Sequence, residues 1–338
     1  MSLKRDIRRL MDRAAIAAGI IARRERAMRG KLTILMYHRV LPDALWQGAP
    51  LPGLVMPLSC FEAQIKHLAK HFEIVNVTKG LNRLRVESRD EKPLLAITFD
   101  DGYDDNHTHA APVLESHGVR GTFYLVSHFV GTDIELWFDQ AARWFHGSTT
   151  LSLDSLVAAA GGVPTWELGQ RPVVRAFMAY LKGLPREERY IALRHMAAHL
   201  GTRERRDVDL AMSVEDARDL HRKGHEVGAH TATHPLLTQE DAEALIREIT
   251  DCKRDLESML SAEVRGFCYP NGDVDDRVAL AVRAAGFTNA PTVAPGYNDR
   301  TTDPFRLRRL DMNSARFLNN GRHDEAMFRA ELALLHEY

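Results

Sequence analysis

Downstream of Gly30 the chain alternates short apolar runs with amphipathic stretches of helical period, and this rhythm narrows the fold more than any other property of the sequence. Segments 32–37, 73–77, 94–99, 121–126, 225–229, 265–269, 288–293 and 305–310 read as strands. Helical patterns fall between them. Ser59 is placed as the N-cap of a helix carrying Phe61, Ile65 and Leu68, and segment 112–117 is helical up to Gly118. Ser213, with Asp216 three residues on, caps a helix through Ala217 and Leu220. Thr238 opens another, with Asp241 in the capping-box position and Leu245, Ile246, Ile249, Cys252 and Leu256 on one face; segment 278–285 is a helix ended by Gly286. Such alternation predicts an α/β fold, a parallel sheet covered by helices and either open or closed into a barrel.

Two regions depart from the rhythm. Residues 131–212 hold Trp137, Trp144 and Trp166, a Gly-Gly-Val-Pro turn at 161–164 and helical stretches at 174–184 and 186–199, and read as a helical insertion in a domain spanning 31–338. Residues 1–30 carry nine Lys/Arg against three Asp/Glu, a balance of +6 in a chain whose net charge is -1. Leu3, Ile7, Leu10, Met11, Ala14, Ala18 and Ile21 recur there at helical spacing among arginines. This is a basic amphipathic extension. It either packs on its own domain or, through residues 1–29, touches a membrane surface or a partner. The apolar stretch from Ala14 to Ala22 is too short for a signal peptide and is followed by two arginines. No run reaches the length of a membrane-spanning helix. The near-neutral total excludes a whole-chain nucleic-acid binder. Cys60, Cys252 and Cys268 form no C-x-x-C pair, and their odd number suggests free thiols in a reducing compartment. The expectation is a cytoplasmic protein, with the inner face of the membrane as the alternative site.

Three motifs end predicted strands, where α/β proteins place their sites. Asp100-Asp101-Gly102 puts adjacent carboxylates at a turn, where both can converge on one pocket; the plainer reading is a pair of helix-capping acids. His230 and His234 stand at i and i+4, which on a helical turn aims two imidazoles at one cation. Phe267-Cys268-Tyr269-Pro270-Asn271-Gly272 is a strand end followed by a Pro-Asn-Gly turn that can expose backbone N–H groups; taken by itself, a plain tight turn is the better reading.

Together, Thr98-Phe99-Asp100-Asp101-Gly102 and His230-Thr231-Ala232-Thr233-His234 resemble the first two motifs of the polysaccharide deacetylase family, carbohydrate esterases with a NodB-like fold. The resemblance covers about 31–310 outside the insertion. It implies a distorted (β/α)7-type barrel, Asp100 as general base, and Asp101, His230 and His234 as ligands of a divalent metal. Zinc is the first choice, with cobalt, nickel or manganese as substitutes. The third motif departs from the family's R-x-P-Y-G: the Arg is absent and Asn271 replaces Tyr, leaving the Asn271 backbone N–H as the oxyanion donor. The Leu35-Met36-Tyr37-His38 element resembles branches in which the general acid lies near the N-terminus, which assigns that role to His38; a structural histidine is the alternative. The family's late L-x-H motif matches only Leu334-Leu335-His336, close to a terminus prone to fraying, so His336 is the rival acid. Period-2 alternation puts Arg309 on the face of Phe305 and Leu307. There it either pairs with Asp100, in place of the missing motif Arg, or reaches solvent. The implied activity is removal of an acetyl group from an N-acetylated sugar or polysaccharide. A small non-sugar amide as substrate, and a silent carbohydrate-binding module, are the alternatives. The sequence leaves oligomeric state open.

Overall fold

The computed structural model describes residues 3–46, 49, 51–86, 92–145, 158, 173–200, 210–319 and 322–335. Its strands include β1 (Leu32–Tyr37), β2 (Arg39–Leu41), β3 (Val55–Pro57), β4 (Glu73–Ile74), β5 (Leu94–Phe99), β6 (Thr122–Leu125), β7 (Glu226–Ala229) and β8 (Leu310–Asp311). β1 and β5 pair in parallel from Leu32↔Leu94 to Tyr37↔Phe99, and every residue of both is buried. Such uninterrupted apolar runs, with no polar alternation, belong to strands covered on both faces. β5 pairs with β6, and β6 with β7. Single parallel bridges then continue, Ala229↔Phe267, Gly266↔Asn289 and Pro291↔Leu307, and β8 returns to β1 at Leu35↔Leu310. The pairing therefore runs once around a ring of seven staves, the distorted barrel of the NodB-like fold.

Several local expectations are corrected. Segments 265–269, 288–293 and 305–310 keep only one or two bridging residues each; Pro291 has no N–H to donate to a ladder. Strand 73–77 stops at Ile74, because Asn76 accepts a 2.8 Å bond from the Lys79 N–H and caps a helix over Val77–Arg85. Ser59 does not cap the first long helix: Leu58–His71 begins before it, and the Ser59 hydroxyl donates to Asp43 at 2.5 Å. Asp241, not Thr238, caps Ala242–Leu260, accepting from the Ala244 N–H. The Ser213–Asp216 capping box is present.

The core is stacked across the staves. Tyr37 and Phe99 lie 5.6 Å apart between ring centroids, and Phe99 and Phe123 4.8 Å. Truncating Phe99 to Ala would cost about 3–5 kcal/mol. The insertion has its own cluster, built on Trp137, Phe138, Trp144, Phe177, Leu181 and Met196, from helices Trp137–Ala142, Val173–Gly183 and Arg186–Leu200. Trp166 and the 161–164 turn lie outside the described residues. The basic extension forms helices Leu3–Ala17 and Ile20–Ala27, which lie on the last helix, Glu325–Leu332.

Candidate metal centre

Asp100 and Asp101 follow β5, His38 follows β1, and His230 follows β7, so one end of the barrel gathers them. The three expected ligands converge. Asp101 Oδ1 is 3.5 Å from His230 Nε2 and 3.4 Å from His234 Nε2, and one atom from each residue lies within 4.8 Å of the others. A tetrahedral ion with bonds of about 2.1 Å holds its ligand atoms about 3.4 Å apart. Neither Asp101 oxygen has a hydrogen-bond partner among the described residues, although the side chain is 1% exposed. His230 Nδ1 is 2.7 Å from the Cys268 carbonyl, which can only accept, so Nδ1 carries a proton and Nε2 is the nitrogen that faces Asp101. A buried carboxylate with no donor, facing two imidazole nitrogens, fits a divalent cation.

A second grouping, Asp100, His230 and Cys268, shares His230 but is chemically satisfied. Asp100 Oδ1 accepts from Arg309 Nη1 at 2.8 Å, and its Oδ2 from the Cys268 thiol at 3.5 Å. Burial pushes the Cys268 thiol up, away from the thiolate a metal needs.

The adjacent carboxylates thus differ in kind. Burial pushes Asp100 up, but Arg309 and then His230 outweigh it and hold the carboxyl below its usual value. Burial also pushes Asp101 up, and its two imidazoles outweigh that and hold it far below. The backbone achieves the split: Asp101 has φ 80° and Gly102 φ 97°, so the chain turns back between neighbours that a strand would point to opposite faces. A Cβ on Gly102 would sit 3.1 Å from Leu125 Cδ2.

The second motif is not a helical turn, contrary to the reading of its spacing. Thr231 and His234 both have positive φ, 67° and 60°. The His234 N–H is taken by the Thr231 hydroxyl (2.9 Å), the Ala232 N–H by the Glu248 carbonyl (3.0 Å), and the Thr233 N–H by the Glu248 carboxylate (2.9 Å). Glu248 is buried in the long helix and is itself held by Arg186 of the insertion at 2.8 Å. Arg186 also donates to the Thr233 hydroxyl at 2.6 Å. Sequence reading missed both residues. Glu248 had a signal, an acid inside the apolar stripe of Leu245, Ile249 and Cys252; Arg186 had none.

His38 is half-buried. Its carbonyl accepts from Asn106 at 2.7 Å, and the adjoining Arg39 pairs with Asp105 at 2.8 Å, so the turn after β1 is fixed. Its imidazole acts electrostatically on Asp100, Asp101 and Asp311. Asp311, two residues beyond Arg309 in a strand paired with β1, is a half-buried acid; desolvation pushes its carboxyl up while His38 and Arg316 pull it down. It too was missed, although the alternation that placed Arg309 places it on the same face. Asn271 is exposed, with φ 59°; its side chain engages Lys182 of the insertion and Asp273. The turn's own bonds come from Gly272 and Asp273, and the Asn271 N–H forms no backbone hydrogen bond among the described residues. His336 lies outside the described residues.

The sequence profile of the polysaccharide deacetylase family matches residues 87–160 and 165–290, more than half of the chain. The Bacillus subtilis protein YxkH, described as a polysaccharide deacetylase, is 30% identical over 102 residues, which are 30% of this chain and 34% of that protein. Chitin deacetylase 1 of Cryptococcus neoformans var. grubii is 32% identical over 79 residues, 23% of this chain and 16% of that protein. The chain thus spans about a third or less of the curated relatives it matches. Among solved structures, the Streptococcus pyogenes deacetylase PplD in complex with acetate is similar at a TM-score of 0.55 and 15% identity, over 82% of this chain and 91% of that one. IcaB of Ammonifex degensii is similar at 0.54 and 18%, over 84% and 93%. His38, Arg309 and Asp311 fall outside the matched segments, so their placement rests on geometry.

Proposed function

The chain belongs to the polysaccharide deacetylase family, and from that premise we propose that it hydrolyses the acetamide of an N-acetylated glycan, giving acetate and a free amino sugar. The carrying observation is the division of labour between neighbouring carboxylates. Asp101 has no hydrogen-bond partner among the described residues and faces two imidazoles, while Asp100 is bonded to Arg309. A divalent ion held by Asp101, His230 and His234, zinc in the first instance, supplies Lewis-acid polarisation of the acetyl carbonyl and activation of water at neutral pH. Asp100, kept ionised and oriented, takes the proton of the attacking water. The left-handed Asn271 turn offers its N–H to the developing oxyanion. His38 delivers a proton to the departing nitrogen, which leaves as an amine because its anion is too basic.

The test is acetate release from N-acetylglucosamine oligomers, with and without EDTA. Release that stops with EDTA and returns with zinc is expected. Zinc-loaded protein that frees no acetate from any oligomer rejects the glycan substrate, and release indifferent to EDTA rejects the metal.

A further inference from the structure

The helix Leu3–Ala17 is turned the wrong way for one that merely covers its own domain. Its docked side is charged: Arg8 pairs with Glu331 at 2.9 Å, Arg9 with Asp324 at 2.6 Å, and Asp12 is buried. Ala15 is buried with them, against Ala330 and Ala333. Residues advance about 100° around a helix, which puts Leu10 nearly opposite Arg8, Asp12 and Ala15, with Ala14, Ile7 and Met11 following in that order around one flank. That face is apolar and exposed: Ile7 50%, Leu10 70% and Met11 59%, with Ile20 of the next helix at 46%. A surface helix ordinarily turns its apolar stripe inward.

Exposed cations accompany this stripe along the extension. Arg13, Arg23, Arg26 and Arg29 are exposed and form no ion pair among the described residues. Of the three acids in residues 1–30, Asp12 is buried and Glu25 is held by Arg329 at 2.8 Å. We infer that this face is a docking surface for an anionic lipid bilayer, with the helix lying in the interface and its apolar residues among the acyl chains. Charge complementarity selects the occupant. A second copy of the chain would bring two arginine-rich extensions together, whereas an anionic leaflet answers the apolar stripe and these cations at once. No helix among the described residues is long and apolar enough to cross a membrane, so the contact is peripheral. Because the helix is anchored to the last helix by ion pairs on its other side, docking needs no release from the barrel.

The experiment is co-sedimentation of the full chain with vesicles of phosphatidylcholine alone and of phosphatidylcholine with phosphatidylglycerol. Binding to the anionic vesicles only, weakened by rising salt, is expected. Leu10→Asp with Met11→Asp should lower partition at least about tenfold. Arg13→Ala and Arg23→Ala should each lower it about fivefold. These side chains are exposed and are not among the residues of the candidate metal centre, so acetate release and the urea midpoint should stay unchanged. Absence of binding to anionic vesicles at low salt overturns the proposal. So does undiminished binding by both the aspartate pair and the arginine variants. A dimer in sedimentation velocity that dissociates on Leu10→Asp with Met11→Asp, without vesicle binding, overturns it too and assigns the face to a second copy.

Discussion

Replacing Arg309 by Met tests the pairing on which the division between the two carboxylates rests. Methionine keeps the apolar stem and removes the charge. Asp100 Oδ1 then loses its 2.8 Å bond, and the remaining partner is the Cys268 thiol, 3.5 Å from Oδ2. Both members of the pair are almost fully buried, 1% and 3% exposed at the side chain. Removing one leaves an uncompensated charge, which costs about 3–5 kcal/mol. The domain should still fold, at a clearly lower urea midpoint. The sign of the pH dependence follows from the shift. In the wild type Asp100 is held below its ordinary value, so the pair contributes stability above the unfolded carboxylate range, and that contribution is lost as pH falls through the folded value. In the variant burial acts without its main opponent and pushes the carboxyl up, so the folded state takes up a proton as pH falls. The deficit against wild type should be largest near about pH 8 and shrink toward about pH 5. Arg309 also donates to the Thr292 carbonyl at 2.8 Å; that loss is independent of pH, so the pH-dependent part isolates Asp100. In acetate-release assays the acid limb of kcat/KM should move to higher pH, since the proposed base acts only when ionised. Adding Asp100→Asn should restore much of the stability and none of the turnover. A deficit equal at both pH values, with an unmoved acid limb, would reduce Arg309 to a packing residue and refute the reasoning.

Four further outcomes are expected. His230→Ala and His234→Ala should each lose most bound metal by elemental analysis while keeping their far-UV spectrum; stoichiometric metal in either would remove that residue from the ligand set. Asp100→Asn should keep its metal and lose turnover by about 10²–10⁴-fold, and near-normal rates would exclude it as base. His38→Ala should lose a similar factor and flatten the alkaline limb of the rate profile; full activity with an unchanged limb would transfer the acid's role elsewhere. Glu248→Gln, which weakens the anchor of the histidine loop, should lower metal affinity by about 10–100-fold in competition with a chelator, and unchanged affinity would show that the loop holds its shape without that charge.

The parts of the site that were legible are those whose chemistry is local. An apolar run ending in two acids, and two histidines just beyond another such run, name their own positions at the strand ends. Arg309 was legible as one of two outcomes, because strand alternation fixes a side chain's face but not its partner. The shape of the histidine loop was not. Spacing of four suggests a helical turn, but the loop is shaped by bonds from Ala232 and Thr233 to Glu248, on a helix that tertiary packing brings back against it. No local pattern carries those bonds. The last staves were read as full strands because their composition is apolar; the ring closes through single bridges, which depend on neighbours contributed from elsewhere in the barrel.

Of the six non-glycine residues with positive φ among the described residues, four are Asp101, Thr231, His234 and Asn271, all at the candidate site. For a β-branched residue such as Thr231 this conformation is a true outlier, and such backbone costs on the order of 1–3 kcal/mol per residue. It persists only where surrounding bonds over-determine it. Here they come from outside the barrel motif: Glu248 ties down Thr233, Arg186 of the insertion neutralises Glu248, and Lys182 of the insertion engages Asn271. Phe138, also of the insertion, lies 5.2 Å from the His234 ring. The insertion therefore cannot be treated as a passive cover. The geometry that aims two imidazoles at Asp101 is held partly by residues that the motifs do not contain, and a chain with both motifs but without Arg186 would have to neutralise Glu248 by other means to keep the same loop.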